Sequence, residues 1–207
     1  MKFRSTDEMN EFSFENSIIE ELQIQDGLIT FTFNGATVKA KNSQNARFQD
    51  MYCGTIVLQL KGAHIARLVK EGMKYYDADG NLQKEVPDED VPAPAEPEVL
   101  RRLGKGTVFT TVEDEVEEGY AYEFGIDVPQ TDDEEEVDTF WLCVLFEQSV
   151  ATWDRYCSPA EEEKGTLSKD YGVLSSRYRQ NRSLRSFRML SQAAISSMSR
   201  NVVCFSR

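Results

Sequence analysis

Seven consecutive apolar residues, Phe140-Trp141-Leu142-Cys143-Val144-Leu145-Phe146, restrict this chain more than any other stretch. A run with no polar face fits a strand that is covered on both sides. Seven extended residues span roughly 23 Å, whereas a membrane-crossing helix needs about 20 apolar residues. The run therefore predicts core, with the other elements packed against it.

The pattern upstream is mostly of period two. Ile18–Gln25 reads as a strand with Ile18, Leu22 and Ile24 on one face. Asp26-Gly27 predicts a two-residue hairpin turn into Leu28–Phe33, where Ile29, Phe31 and Phe33 alternate with Leu28, Thr30 and Thr32. Asn34-Gly35 repeats the signal and returns the chain through Ala36–Ala40 with Val38 inward. Thr55–Lys61 reads as a fourth strand, followed later by Thr107–Val116 and by Tyr120–Val128, the last with Tyr120, Tyr122, Phe124, Ile126 and Val128 on one face. Three segments carry helical spacing instead. Ala63–Met73 places Ile65, Leu68, Val69 and Met73 together, Pro97–Leu103 opens on proline and stops before Gly104, and Gln148–Cys157 spaces Val150, Trp153 and Tyr156 three apart. The sum is an α+β domain, mostly antiparallel sheet of about six to eight strands with two or three short helices.

Length and charge set the boundaries. A chain of 207 residues allows one ordinary domain and a tail. Its formal charge of −13 hides two compositions: residues 1–163 hold 14 Lys+Arg and 35 Asp+Glu, and residues 164–207 hold nine and one. Residues 1–16 read as a loosely ordered lead-in, residues 17–160 as the acidic α+β domain, and residues 161–207 as a poorly structured, marginally helical Ser/Arg-rich basic tail. The tail is read as folding back on the acidic body or as unselected sequence, in preference to a membrane- or nucleic-acid-binding segment. An acidic body disfavours nucleic acid as a partner. The first residues lack an apolar signal region and no stretch is long enough to cross a bilayer, which predicts a cytoplasmic protein without a membrane span. Cys53, Cys143, Cys157 and Cys204 show no C-x-x-C spacing, so neither a disulfide framework nor a zinc site is expected.

Motifs that carry chemistry are weak. His64 is the one histidine, and no Ser or Cys motif points at it, so a surface or element-start role is expected. Asp77-Ala78-Asp79-Gly80 invites a calcium reading, but an EF-hand loop needs glycine sixth and glutamate twelfth, and here Gly80 is fourth and Asp88 twelfth. A plain hairpin turn fits better. Gly104-Lys105-Gly106-Thr107 follows a helix and opens a strand, the reverse of a phosphate-binding loop. No cofactor and no metal are predicted. The acidic runs Glu113–Glu118 and Asp132–Asp138 fall at hairpin ends, where solvent takes the charge, and Pro87–Pro97 reads as an extended connection. Lys41–Asp50 is dense in side-chain amides. It reads as a loop that meets a partner, or as one whose amides cap its own backbone and a short helix near Ser43.

Together, Asn42–Gly54, the Tyr75–Leu82 hairpin and Tyr120–Val128 resemble a family of small acidic proteins from anaerobic gut Firmicutes. The resemblance covers about residues 3–160 and stops before the tail. The family has no assigned activity, so the resemblance implies no catalytic residue and supports placing the tail outside the domain.

The function expected is that of a non-enzymatic binding or interaction protein whose partner is another protein. Its candidate contacts are Asn45, Arg47, Gln49, Tyr75, Tyr76 and Trp153. One alternative is an acidic immunity or inhibitor protein that mimics nucleic acid against a basic partner through its two acidic runs. A second is an enzyme using two carboxylates in a pocket.

Overall fold

The computed structural model describes residues 1–77, 79–130 and 137–159, and nearly all of them are extended or in tight turns. Phe3–Thr6 (β1) leads to a 3-10 turn at Met9–Glu11 and to Phe12–Ser13 (β2). Ile18–Gln25 (β3), Leu28–Asn34 (β4), Thr37–Val38 (β5), Met51–Cys53 (β6), Thr55–Lys61 (β7) and His64–Lys70 (β8) follow. Met73–Tyr76 (β9), Leu82–Val86 (β10) and Glu89–Asp90 (β11) precede the helix Glu96–Leu103 (α1). Thr107–Asp114 (β12), Tyr120–Pro129 (β13), Val137–Phe146 (β14), Gln148–Trp153 (β15) and Tyr156–Pro159 (β16) complete the described chain.

Ten strands form one antiparallel sheet in the order β1-β15-β7-β4-β3-β12-β13-β14-β8-β11. Its middle joint is slight: the ladder between β3 and β12 is the single pair Ile18 and Thr107. At that joint the sheet folds over, and the two five-stranded halves close on one core. The rings of Phe31 on β4 and Phe124 on β13 stack across it with centroids 5.0 Å apart. Ile29, Phe31 and Phe33 from one layer and Phe124, Ile126 and Phe140 from the other are buried, each contributing roughly 1.5–3 kcal/mol of burial free energy. A four-stranded sheet, β16-β6-β5-β2, and the hairpin β9–β10 are separate from the ten. The result is a β-sandwich with one α-helix among the described residues, which corrects the expected α+β class and its six to eight strands.

The apolar run is the strand β14. Phe140, Leu142, Val144 and Phe146 enter the core. On its other face Cys143 is buried and Trp141 meets Phe109 edge-on at 5.3 Å. The Phe109 ring lies where a Cβ on Gly125 would stand, 2.3 Å from that position. One face of the run is thus covered by the opposite layer, and on the other Cys143 is buried while Trp141 and Leu145 are partly exposed.

Two expected helices are strands, and the cause is local. In β8, Ile65 faces Val144 and Leu68 faces Leu142, so three steps on β8 match two on β14. A β-bulge inserts the extra residue and reproduces helical spacing on an extended chain. Gln148–Cys157 is β15, a turn at Asp154-Arg155, and β16, and the turn supplies the spacing between Trp153 and Tyr156. A bulge between Ile19 and Glu21 likewise shifts β3, so Ile19 is buried in place of Ile18, which is 45% exposed.

Asp26-Gly27 makes the hairpin turn, both residues having positive φ. Asn34-Gly35 does not: beyond it the chain leaves the large sheet, and β5 pairs with β2 and β6. Residues 1–16 are not a loose lead-in, because β1 lies beside β15 and Phe12 and Phe14 are buried. Within Pro87–Pro97, β11 pairs with the end of β8. The basic tail lies outside the described residues, as do positions 132–136 of the second acidic run.

Candidate functional site: the loop that carries Phe48

The loop between β5 and β6 is held by two buried amides. Asn45 Nδ2 shares its protons among the carbonyls of Val38 (3.3 Å), Lys39 (3.0 Å) and Gln49 (2.9 Å), and Asn45 Oδ1 accepts from the Arg47 N–H at 3.0 Å. Asn42 Oδ1 accepts from the Gln44 N–H at 3.0 Å, and its Nδ2 donates to Ser5 Oγ at 3.1 Å. Such short polar side chains mimic backbone partners and fix irregular turns without a helix. The helix expected near Ser43 is absent from this loop, whose backbone is a series of turns.

The loop is also tied outward. Glu8 accepts from the Ser43 N–H at 3.2 Å and from Ser43 Oγ at 2.8 Å, Asp50 Oδ1 accepts from the Ala40 N–H at 2.8 Å, and the Tyr156 hydroxyl donates to the Gln44 carbonyl at 2.9 Å. What these ties present is Phe48. Its side chain is 90% exposed and its φ is +58°. An L-residue in the left-handed region costs roughly 1–2 kcal/mol, and a bulky one there is an outlier. An apolar ring is therefore held in water on a strained residue of a tightly bonded loop.

The expected contacts divide on this geometry. Arg47 and Gln49 flank Phe48 and are exposed. Asn45 is buried and is the loop's internal tie, not a contact. Trp153 is fully buried, stacked on Phe3 at 5.5 Å, and is removed from the contact set. Tyr75 is 45% exposed on β9, beneath Lys84 Nζ at 5.5 Å, and with Met73 and Val86 gives the β9–β10 hairpin an apolar side. The Tyr76 side chain lies outside what is described. Phe48 itself was not singled out by the sequence. The signal available was the pair of asparagines placed to close a loop around it.

Two other places hold ionisable groups. A cavity of about 50 Å³ is lined by Asp7, Glu8, Asn10, Glu113, Tyr122 and Ser149, among others. That is room for a few waters, against roughly 300–1,000 Å³ for a small-molecule cleft. Its groups are engaged: the Tyr122 hydroxyl donates to Asn10 Oδ1 at 2.8 Å, Asn10 Nδ2 donates to Glu113 at 2.6 Å, and Asp7 accepts from the Ser149 N–H at 2.8 Å. Burial, followed by the nearby Glu113 charge, pushes the Tyr122 hydroxyl far above its ordinary value. The second place is Asp138, which receives Lys70 Nζ at 2.7 Å and Arg102 Nη2 at 2.8 Å. Burial raises its pKa, but hydrogen bonds from Lys70 and then Arg102 lower it further, leaving the carboxyl below the ordinary range. Asp138 thus fastens α1 and β8 to β14, and it is not a charge presented to a partner.

Among the described residues, no group of three or more His, Cys, Asp or Glu is placed to hold a metal ion, and no helix is long and apolar enough to cross a membrane. His64 is exposed at the start of β8. Asp77 closes the β9–β10 turn by accepting from the N–H groups of Asp79 (3.0 Å) and Asn81 (2.8 Å).

No family model, curated protein or solved structure matches the chain. Function is read from the site alone.

Proposed function

We propose that this protein is a non-enzymatic binding protein that engages another protein through the loop Lys41–Asp50, with Phe48 as the anchor. The observation that carries this is the pairing of near-complete exposure with a strained, tightly bonded backbone at Phe48. Strain of this kind persists where the surroundings over-determine it, and it clusters at functional sites. A rigid aromatic presented on a pre-organised loop loses little entropy on binding, and such residues dominate interface energetics. We place the protein in a reducing, cytoplasmic setting, a reading supported by the free thiols of Cys53, Cys143 and Cys157.

The two alternatives receive less support. The carboxylate-enzyme reading has a cavity of a few waters whose acids are hydrogen-bonded. The charge-mimic reading loses Asp138 to Lys70 and Arg102.

The test is photo-crosslinking in the source cells. A benzophenone amino acid replaces the exposed Gln49 in the full chain, with Phe48 or with Phe48→Ala. A discrete protein adduct that vanishes with Phe48→Ala is the expected result. An adduct indifferent to Phe48, or none, defeats the proposal.

A further inference from the structure

The stretch of sequence that carries Phe48 is richer in bases than the rest of the domain. Residues 27–70 contain six Lys+Arg and one acid, Asp50, leaving eight bases and 34 acids to the remainder of residues 1–163. Asp50 is occupied by the Ala40 N–H. Lys39 Nζ is turned to the Asn10 carbonyl at 2.7 Å. Lys41 and Arg47 are exposed, and neither forms an ion pair among the described residues. The loop therefore carries one exposed apolar ring and two exposed cations on an otherwise acidic body.

We infer that the partner is a protein offering an apolar pocket with carboxylates on its rim. The inference rests on the proposed role of the loop and adds the chemistry of what it meets. At physiological ionic strength charges farther apart than about 8 Å are largely screened, and of the loop's local charges Asp50 and Glu8 are turned to partners within the fold while Lys41 and Arg47 are exposed and unpaired among the described residues. An anionic bilayer fits less well. It is an extended plane and brings more of the acidic body close to negative charge. Burying one phenylalanine also strengthens partitioning by only about ten- to a hundredfold, which is a weak anchor to a surface. A packed pocket with complementary rim charge uses the ring and both cations together.

The experiment uses the same full-chain crosslinker at position 49, now with Lys41→Glu and Arg47→Glu together, and a milder Lys41→Gln, Arg47→Gln pair. The substituted side chains are exposed, so folding should be retained, and circular dichroism confirms it. A protein adduct reduced at least tenfold by charge reversal, less by neutralisation, and weakened between 50 and 300 mM NaCl (chosen to span about one Debye-length regime) is expected. Cosedimentation is measured in parallel with phosphatidylcholine vesicles containing phosphatidylserine. A Phe48-dependent adduct unchanged or strengthened by charge reversal overturns the inference and leaves the binding role standing. Phe48-dependent vesicle binding assigns the loop to lipid and overturns it too. Absence of any Phe48-dependent adduct overturns both readings.

Discussion

Asn45 Nδ2 lies 2.9 Å from the carbonyl oxygen of Gln49, and this bond closes the chain around Phe48. The same amide reaches back to Val38 and Lys39, so one side chain joins both stems of the loop. Asn45→Ala removes every one of these bonds and leaves the buried Val38 carbonyl without this donor, while the Lys39 carbonyl keeps the Asn42 N–H at 3.1 Å. The expected loss is about 2–3 kcal/mol of unfolding free energy by urea titration. A loss under roughly 0.5 kcal/mol would show that the loop holds without its tie.

Phe48 contributes nothing to the core, so Phe48→Ala should leave stability within about 0.5 kcal/mol of the parent protein. Phe48→Gly should be no less stable than Phe48→Ala, because glycine accepts a φ of +58° without steric cost. Thermal unfolding of the two variants checks both points. A large loss in either would place the ring in contact with the fold.

Asp138 supplies an acid-sensitive clamp. Its folded-state pKa is depressed, so its contribution is fully present above the unfolded carboxyl value of about 3.9 and is lost as pH falls through the folded value. Asp138→Asn should cost about 1–2 kcal/mol near neutrality, since it removes the shared partner of Lys70 and Arg102, both of which solvent can partly reach. The gap to the parent should narrow as pH drops below about 4. Denaturation measured across pH tests this, and a gap independent of pH would contradict it.

Gly125 and Phe109 are complementary in shape. A Cβ at position 125 would meet the Phe109 ring at 2.3 Å. Gly125→Ala should destabilise by about 1–3 kcal/mol through overpacking, and the penalty should largely disappear in a Phe109→Ala background. A double-mutant cycle by chemical denaturation reads the coupling. Additive effects would place the ring elsewhere.

The described cysteines should differ in reactivity. Burial, then the negative charges of Glu123 and Asp114, pushes the Cys143 thiol up to about 12, and burial does the same for Cys53, whereas Cys157 is exposed. Since the thiolate is the nucleophile, maleimide labelling of the native protein followed by peptide mapping should mark Cys157 well before Cys53 or Cys143. Equal rates would mean that the strands open readily.

The strands that obey a strict two-residue alternation were legible in the sequence. β4, β7 and β13 place on their core face the residues their spacing names, and the apolar run is an extended strand, as its composition implies, with one face in the core and the other partly covered. What misled was the β-bulge. It spaces Ile65 and Leu68 like neighbours on a helix and turns Ile19 inward in place of Ile18, and neither can be told from true helical periodicity without knowing the opposing strand. The site was half visible. The amide-rich stretch 41–50 marked the loop, but which amides face inward depends on carbonyls brought from β5, so Asn45 is the loop's internal tie and Phe48, which the pattern did not mark, is the exposed residue.

β1 pairs Phe3 with Trp153, so this strand, made before the others described, finds its neighbour only after about 150 further residues have been made. At ordinary elongation rates that is a wait on the order of ten to thirty seconds. Throughout it Phe3 and Phe12 lack the Trp153 indole they pack on, and β7 lacks one flank. A nascent chain stalled before Gln148 would hold an open sheet edge beside bare aromatic rings, the kind of surface that chaperones clasp and aggregates recruit.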